Sequence, residues 1–162
     1  MTIQVGDRLP QTTFRVMSAE GPAPKTTDDV FKGRKVVLIG VPGAFTPTCH
    51  RNHLPGFVTH ADAIKAKGVD AIAVTAVNDV FVMDAWAKAA DANGAVEFLA
   101  DGNGDFAKAV GLALDGSGFG LGTRSQRYSM IVDDGVVKEL NVEQPGEFKV
   151  SAADYLLAQL SA

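Results

Sequence analysis

The segment KVVLIGVPGAFTPTCHRNHLPGF, residues 35–57, joins an apolar stretch to a helical pattern through a short turn. Lys35–Val41 is apolar at nearly every position, which is typical of a strand that is covered on both faces. Thr46 is a suitable N-cap, and Pro47 suits the first helical position because no N–H is needed there. The pattern therefore predicts a buried strand that leads straight into a helix and places Cys49 in the first helical turn.

Helices and strands alternate on the C-terminal side of this junction. The first helix is predicted over Thr48–Lys67, with a kink at Pro55, which lacks an N–H. Asn78 is a suitable N-cap for the next helix, Asp79 to about Asp91, whose predicted core residues are Phe81, Met83, Ala85 and Trp86. The other predicted elements are strands Val69–Val77 and Val96–Ala100, helix Asp105–Leu112, strands Arg127–Val132 and Val136–Val142, and a helix capped by Ser151 that reaches Leu160.

This order of elements predicts an α/β sandwich with a mixed central sheet flanked by helices. The turn Asp133-Asp134-Gly135 is a strong signal for a closing hairpin. The order β-α-β-α followed by β-β-α is that of a thioredoxin-like fold. Glu20–Thr27 and Asp115–Gly122 are short enough to be loops, so we expect one domain over residues 1–162.

Composition and charge exclude several classes of protein. The chain is 46% hydrophobic and 21% charged, as in an ordinary globular protein, and its net charge of −4 argues against a nucleic-acid partner. The longest apolar run, Val36–Phe45, is far shorter than the roughly 20 residues of a membrane span. The N-terminal stretch has no signal-peptide pattern, so a cytoplasmic location is expected. Cys49 is the only cysteine, which rules out an internal disulfide and a CxxC motif.

Cys49 is the residue with the clearest chemistry. The first turn of a helix offers unpaired backbone N–H groups and a partial positive charge, which favour a thiolate. This dipole contributes about 0.3–1 kcal/mol, less than the roughly 1.4 kcal/mol of a tenfold change in ionisation. Thr46 can add a hydroxyl donor, and Arg124 and Arg127 are the candidate cations. Strand alternation groups Arg127 with Ile131 and leaves open whether their face looks toward Cys49.

Other interpretations of these residues stay open. His53 could be a general base for Cys49, as in cysteine hydrolases, although it lies one turn further along the same helix. His50, His53 and His60 suggest a metal site, but no second cysteine or carboxylate cluster completes a tetrahedral set, so no metal is expected. The glycine run Gly116–Gly122 follows a helix and precedes a strand, the reverse of a dinucleotide-binding loop, and is interpreted as a flexible loop.

Three segments resemble a known family. VPGAFTPTCHRNHLPGF, residues 41–57, closely resembles the active-site segment of the type II (peroxiredoxin-5-like) peroxiredoxins. AVNDVFVMDAW (76–86) and RYSMIVDDGVVKELNVE (127–143) are similar as well, so the resemblance covers most of the chain from about Lys35 to Ala162. It implies a thioredoxin-like fold and thiol-dependent reduction of hydroperoxides, with no cofactor.

The resemblance also assigns roles to site residues. It implies that Cys49 is the peroxidatic cysteine, Thr46 its hydroxyl partner, Pro42 the residue that shields the thiolate, and Arg127 the active-site arginine. Complete ionisation of a thiol raises its reactive fraction only about thirtyfold at pH 7, so fast reduction needs donors for the charge on the departing oxygen. Such donors are the Thr46 hydroxyl, the Arg127 guanidinium and the backbone N–H groups of Thr48 and Cys49. The product is a sulfenic acid on Cys49.

The chain differs from many relatives in the step that reduces the sulfenic acid, because it has no resolving cysteine. The positions that match their resolving cysteine are Val74 and Ser151, so an external thiol must reduce the sulfenic acid. The resemblance implies glutathione with glutaredoxin as that thiol, then thioredoxin, and it also implies a homodimer. It gives Arg124 no fixed role. The alternative function is a peroxide-sensing switch or binding module in which Cys49 is oxidised without efficient turnover.

Overall fold

The computed structural model describes residues 2–92 and 94–160, so Met1, Asn93, Ser161 and Ala162 of the expected domain lie outside it. The strands are β1 Thr13–Ser18, β2 Gly21–Thr26, β3 Lys35–Gly40, β4 Ala71–Ala76, β5 Glu97–Ala100, β6 Ala113–Asp115, β7 Thr123–Ser125, β8 Tyr128–Asp133 and β9 Val136–Val142. The helices are α1 Thr27–Phe31, α2 Leu54–Thr59, α3 Ala61–Lys65, α4 Val80–Ala89, α5 Asp105–Ala109 and α6 Ala153–Leu160, with a π-turn at Cys49–His53 and a 3₁₀ turn at Ser117–Phe119. In the part of the chain that is described, no helix is both long and apolar enough to span a membrane.

A seven-stranded sheet in the order β2-β1-β5-β4-β3-β8-β9 forms the centre of the molecule. Strands β3, β4 and β5 are parallel, whereas β8, β9, β1 and β2 each run antiparallel to a neighbour. One apolar core covers each face of the sheet, and Cys49 belongs to the core that also holds Phe57, Trp86 and Ile131. The thioredoxin-like α/β fold with a mixed sheet is therefore confirmed.

The N-terminal hairpin was not predicted. Glu20–Thr27, interpreted as a loop, contains the whole of β2, which pairs with β1 along its entire length. Pro22 and Pro24 lie in this strand opposite Met17 and Arg15. They are tolerated because β2 is the outermost strand, and a missing N–H there interrupts no second ladder. The prolines made the stretch resemble a turn although they mark a sheet edge.

The predicted continuous helix over Thr48–Lys67 is divided into three parts. Cys49–His53 is a π-turn, in which the Leu54 N–H bonds to the carbonyl of Cys49. The turn ends at His53 and α2 begins at Leu54, so Pro55 falls in the first turn of α2, where its missing N–H removes no hydrogen bond of that helix. A second interruption follows at His60, before α3.

Two predictions about helix α4 are wrong, one about its N-cap and one about its buried face. Asp79, rather than Asn78, is the N-cap, and its carboxylate accepts from the Val82 N–H at 2.8 Å. Met83 and Trp86 are buried as predicted, but Phe81 is 65% exposed and Ala85 is exposed as well. The helix therefore packs on a stripe that is rotated away from the predicted one.

Candidate active site

The active-site loop, residues 41–46, connects β3 to the π-turn. Its backbone is tied to the start of α4, because the Ala44 N–H donates to Asn78 Oδ1 at 2.9 Å. Phe45 has φ +65°, a left-handed conformation that a non-glycine residue adopts at a cost of about 1 kcal/mol or more. This reversal lets the helical turn begin two residues later and places Cys49 in that first turn, as predicted.

Thr46 stands directly before the helical turn, but its hydroxyl does not cap it. The Thr46 carbonyl accepts from the His50 N–H at 2.8 Å, which is the backbone role of an N-cap. The hydroxyl donates instead to the carbonyl of Gly43 at 2.7 Å. The predicted side-chain cap is wrong, because no N–H of the turn, within the residues described, donates to the hydroxyl oxygen of Thr46. A hydroxyl has one proton, so donation to a peroxide or to the sulfur requires Thr46 to exchange this bond.

Arg127 lies against the thiol. Strand β8 runs antiparallel to β3 with Tyr128 opposite Gly40, which brings Arg127 to the point where β3 enters the active-site loop. Its Nη2 donates to Cys49 Sγ at 3.0 Å, and Cys49 has no exposed surface. The sequence left open which way the face that carries Arg127 and Ile131 looks. In the structure this face lies toward Cys49. The fixed positive charge of Arg127 therefore lies where it can stabilise negative charge that develops on the sulfur.

His53 lies behind the arginine and not beside the sulfur as a base. Arg127 Nη1 donates to His53 Nδ1 at 3.0 Å, and His53 Nε2 lies 2.9 Å from the carbonyl of Ser151. A carbonyl only accepts, so the proton sits on Nε2 and Nδ1 is the acceptor. Burial first, and the charge of Arg127 second, lower the pKa of His53 to about 3. Both nitrogens are engaged, so the arrangement argues against a Cys49–His53 hydrolase pair.

The segment between β9 and α6 closes the site from behind and is organised by Glu143. This buried carboxylate accepts from the Lys149 N–H at 2.7 Å and from the N–H and hydroxyl of Ser151 at 2.8 and 2.7 Å. Burial opposes ionisation, but donation from Ser151 and from the backbone outweighs it and lowers the pKa of Glu143. The predicted capping of the last helix by Ser151 is therefore wrong, since its hydroxyl serves Glu143 and α6 begins at Ala153.

A cavity of about 370 Å³ is lined by Thr48, the sequence neighbour of Cys49, and by Arg127. Pro42 lines the same cavity, and its role as the residue that shields the sulfur stays a prediction. Arg124 stabilises this wall from outside, because its Nη1 lies 3.4 Å from the carbonyl of Pro42 and its Nε donates to the carbonyl of Leu121 at 3.0 Å. Arg124 therefore links the glycine-rich loop to the active-site loop and does not touch the thiol.

The remaining polar candidates have structural partners. His50 Nδ1 accepts from the Trp86 indole N–H at 3.0 Å, and His60 Nδ1 bonds to the carbonyl of Gly56 at 2.8 Å. Over residues 2–92 and 94–160, no group of three or more His, Cys, Asp or Glu side chains is arranged to hold a metal ion. Val74, one of the two positions that match a resolving cysteine, is buried in β4.

Comparison with known proteins agrees with this geometry. The redoxin family model matches residues 4–157. The chain belongs to the redoxin family. It is 46% identical to peroxiredoxin-2C of Oryza sativa subsp. japonica over 98% of both chains. Its fold matches that of reduced Prx3 in complex with hydrogen peroxide from Vibrio vulnificus, with TM-score 0.95 and 52% identity over 98% of this chain and 99% of that one. Peroxiredoxin 5 from Alvinella pompejana matches with TM-score 0.86 and 35% identity over 98% of each chain.

The redoxin chain is thus a type II peroxiredoxin, as its active-site segment indicated, and its activity is that of a thiol peroxidase. Reasoning from the sequence missed how this redoxin holds its arginine. Glu143, the His53 contact and the ring of Phe148, whose centroid lies 6.0 Å from Arg127 Cζ, were not singled out. The one available signal was an acidic residue at the end of the alternating pattern of β9.

Proposed function

We propose that this peroxiredoxin reduces hydrogen peroxide and organic hydroperoxides at Cys49, and that an external thiol completes each cycle. The observation that carries the proposal is the 3.0 Å contact between Arg127 Nη2 and the fully buried Cys49 Sγ. An arginine in this place stabilises the thiolate before the reaction and the charge on the departing oxygen during it.

The oxidation step transfers one oxygen atom to sulfur. The Cys49 thiolate attacks the terminal oxygen of the peroxide, which keeps its hydrogen, and the O–O bond breaks. The departing oxygen takes up from water the one proton that the thiol released on ionisation, and leaves as water or an alcohol. Sulfur loses two electrons and becomes a sulfenic acid. Arg127, the Thr46 hydroxyl and the N–H groups of Thr48 and Cys49 are the proposed donors to the reacting oxygens, and Pro42 excludes water from the sulfur.

The cavity supports hydroperoxides as the substrate class. Its volume of about 370 Å³ accommodates a small organic hydroperoxide, and its lining combines the apolar Pro42, Leu114 and Pro145 with polar side chains. The Prx3 of Vibrio vulnificus, which matches this fold, has a structure in complex with hydrogen peroxide. Both observations favour hydrogen peroxide as the minimal substrate and leave room for an alkyl group.

An external thiol is proposed as the reductant because the chain has one cysteine. One thiol forms a mixed disulfide with the sulfenic acid and releases water, and a second thiol then releases the Cys49 thiol together with a disulfide. We propose glutathione with glutaredoxin for these steps, with thioredoxin as the second choice. This requirement for a reduced thiol pool supports the proposal of a cytoplasmic location.

We also propose a homodimer that forms around the active-site loop. Phe45 is 46% exposed, Phe81 is 65% exposed, and Leu121 is 38% exposed. The loop residue next to Phe45 bonds to Asn78 at the base of α4, which carries Phe81, and Arg124 joins the loop to Leu121. Exposed apolar side chains on segments that are joined in this way are typical of an interaction surface. Phe81→Ser is expected to shift the molecular mass in sedimentation from dimer toward monomer, and a wild-type chain that is itself monomeric would contradict the proposal.

Stopped-flow oxidation of the reduced protein tests the activity. The signal is the fluorescence of Trp86, the only tryptophan, which bonds to the neighbour of Cys49. Wild-type protein should react with hydrogen peroxide and turn over with glutathione and glutaredoxin, while Cys49→Ser should do neither. Thr46→Val and Arg127→Gln should each slow oxidation by about 10²–10³-fold, the usual loss for one transition-state donor.

Steady-state turnover separates the peroxidase from the sensing switch. Many cycles per chain with one of the three reductants support the proposal, whereas one oxidation followed by slow reduction with all of them indicates a switch. Turnover that persists in metal-free Cys49→Ser would refute a cysteine peroxidase altogether. An unchanged oxidation rate in Arg127→Gln would show that the contact seen here has no catalytic consequence.

A further inference from the structure

The guanidinium of Arg127 has a second partner that the proposed reaction does not use. His53 is fully buried and accepts from Arg127 Nη1 at 3.0 Å, while the neighbouring Nη2 donates to Cys49 Sγ at the same distance. The two nitrogens belong to one rigid planar group, so an acceptor that fixes the first also fixes the direction of the second. The position of the arginine relative to the sulfur therefore depends on His53.

The histidine is itself held in place. Its Nε2 donates to the carbonyl of Ser151 at 2.9 Å, and Ser151 is anchored through its N–H and hydroxyl to the carboxylate of Glu143. The ring of Phe148 packs edge-on against His53, with the ring centroids 5.1 Å apart. These contacts come from a segment remote in sequence from Cys49, and they leave the imidazole one orientation and one tautomer.

The charge of the partner matters as much as its position. Arginines in protein interiors are usually held by carboxylates, whose negative charge would compete with the thiolate for the same guanidinium. A neutral imidazole accepts the hydrogen bond without cancelling the positive charge. The carboxylate of Glu143 accepts from Ser151 and from the Lys149 N–H, and the carbonyl of Ser151 accepts from His53, the partner of the arginine.

We propose that His53 is a positioning residue, which through a neutral hydrogen bond orients Arg127 toward Cys49 and leaves the whole guanidinium charge to the sulfur and the departing oxygen. This inference rests on the proposed peroxidase mechanism, in which Arg127 acts on both groups. It assigns Glu143 and Ser151 to the support of His53.

A double-mutant cycle with full-length reduced protein tests the proposal. His53→Leu should slow oxidation by hydrogen peroxide by about 10–100-fold, the loss expected when one hydrogen bond to a charged group is removed. In an Arg127→Gln background, His53→Leu should cause little further loss, because the group that it orients is already absent. Equal losses in the two backgrounds, or no loss in the single variant, would overturn the proposal.

Two variants that have the same shape as each other, His53→Asn and His53→Asp, test the proposal if His53→Leu fails to fold. His53→Asn preserves a neutral acceptor near the position of Nδ1 and should react faster than His53→Asp, which presents a charged acceptor to the same guanidinium. An equal or faster reaction of His53→Asp would refute the role assigned to neutrality.

Thiolate absorbance in the ultraviolet gives a readout that needs no peroxide. At pH 7 it should fall in His53→Asp and in Arg127→Gln relative to wild-type protein. Failure of wild-type protein to reduce peroxide would refute the proposed function while this comparison still tested His53. Unchanged absorbance in His53→Asp would refute the positioning role while the peroxidase remained intact.

Discussion

Acid should destabilise this protein through His53. Burial and the neighbouring Arg127 lower the pKa of His53 in the folded chain to about 3 from its ordinary value of 6.5. His53 is therefore protonated below about pH 6.5 in the unfolded chain, but only below about pH 3 in the folded chain. Since the unfolded state binds more protons in this window, the free energy of unfolding falls as the pH falls.

The size of the effect follows from the two pKa values. Between pH 7 and pH 5 the ring remains neutral in the folded protein and becomes almost fully charged in the unfolded one. This difference should remove about 2 kcal/mol from the free energy of unfolding, at up to about 1.4 kcal/mol per pH unit. A loss of this size is a substantial part of the roughly 5–15 kcal/mol of stability that single domains possess.

Urea denaturation of reduced protein at several pH values between 5 and 7 measures this loss, with Trp86 fluorescence as the signal. His53→Asn is the matched control, because it retains a polar side chain at the same position but cannot titrate. Carboxylates contribute equally to both proteins, so the difference between their slopes isolates His53. Parallel slopes for wild-type protein and His53→Asn would refute the view that His53 is held neutral by burial and by Arg127.

Three further substitutions test the packing of β3 against β8, the N-cap of α4 and the support of the active-site loop. Gly40→Ala should destabilise the fold by about 1–3 kcal/mol, because a methyl group there would overlap the ring of Tyr128, and Tyr128→Leu in the same chain should recover part of the loss in urea denaturation. Asp79→Ala should lower the free energy of unfolding by about 1 kcal/mol, since it removes the cap of α4. Asn78→Ala should instead slow peroxide oxidation in stopped flow, because Asn78 holds the Ala44 N–H and with it the active-site loop. An unchanged oxidation rate would show that the loop is fixed without it.

The central part of the fold was predictable because its signals are local. Lys35–Val41 and Val69–Val77 are apolar at all but one or two positions, and such runs have few alternatives to buried strands. The first hairpin was missed because Pro22 and Pro24 are turn formers by every local criterion. Only their place at the edge of the sheet, which depends on residues far away in sequence, makes them compatible with a strand.

The candidate site divides in the same way. Cys49 and Thr46 lie within one segment, so the turn between strand and helix could be predicted to place them near each other. Arg127 was singled out, but the direction of its face was open until pairing of β8 with β3 placed it at the end of β3. The roles of Glu143 and Ser151 could not be predicted, because their carboxylate–hydroxyl bond forms only when the segment after β9 folds back toward His53.

The neutral state of His53 has opposite effects on two properties: it favours the oxidation of Cys49, and it lowers the free energy of unfolding in acid. A carboxylate as the partner of Arg127 would cause a smaller loss of the free energy of unfolding in acid, since beside a guanidinium it stays ionised over the physiological range. It would, however, weaken the positive charge that acts on the sulfur. A neutral imidazole keeps that charge and carries the cost of a buried base that the unfolded state readily protonates. His53→Leu should therefore lose less stability than wild-type protein between pH 7 and pH 5 and yet react more slowly with peroxide. A residue that served only to fill the core would show no such opposition, because filling space is independent of pH.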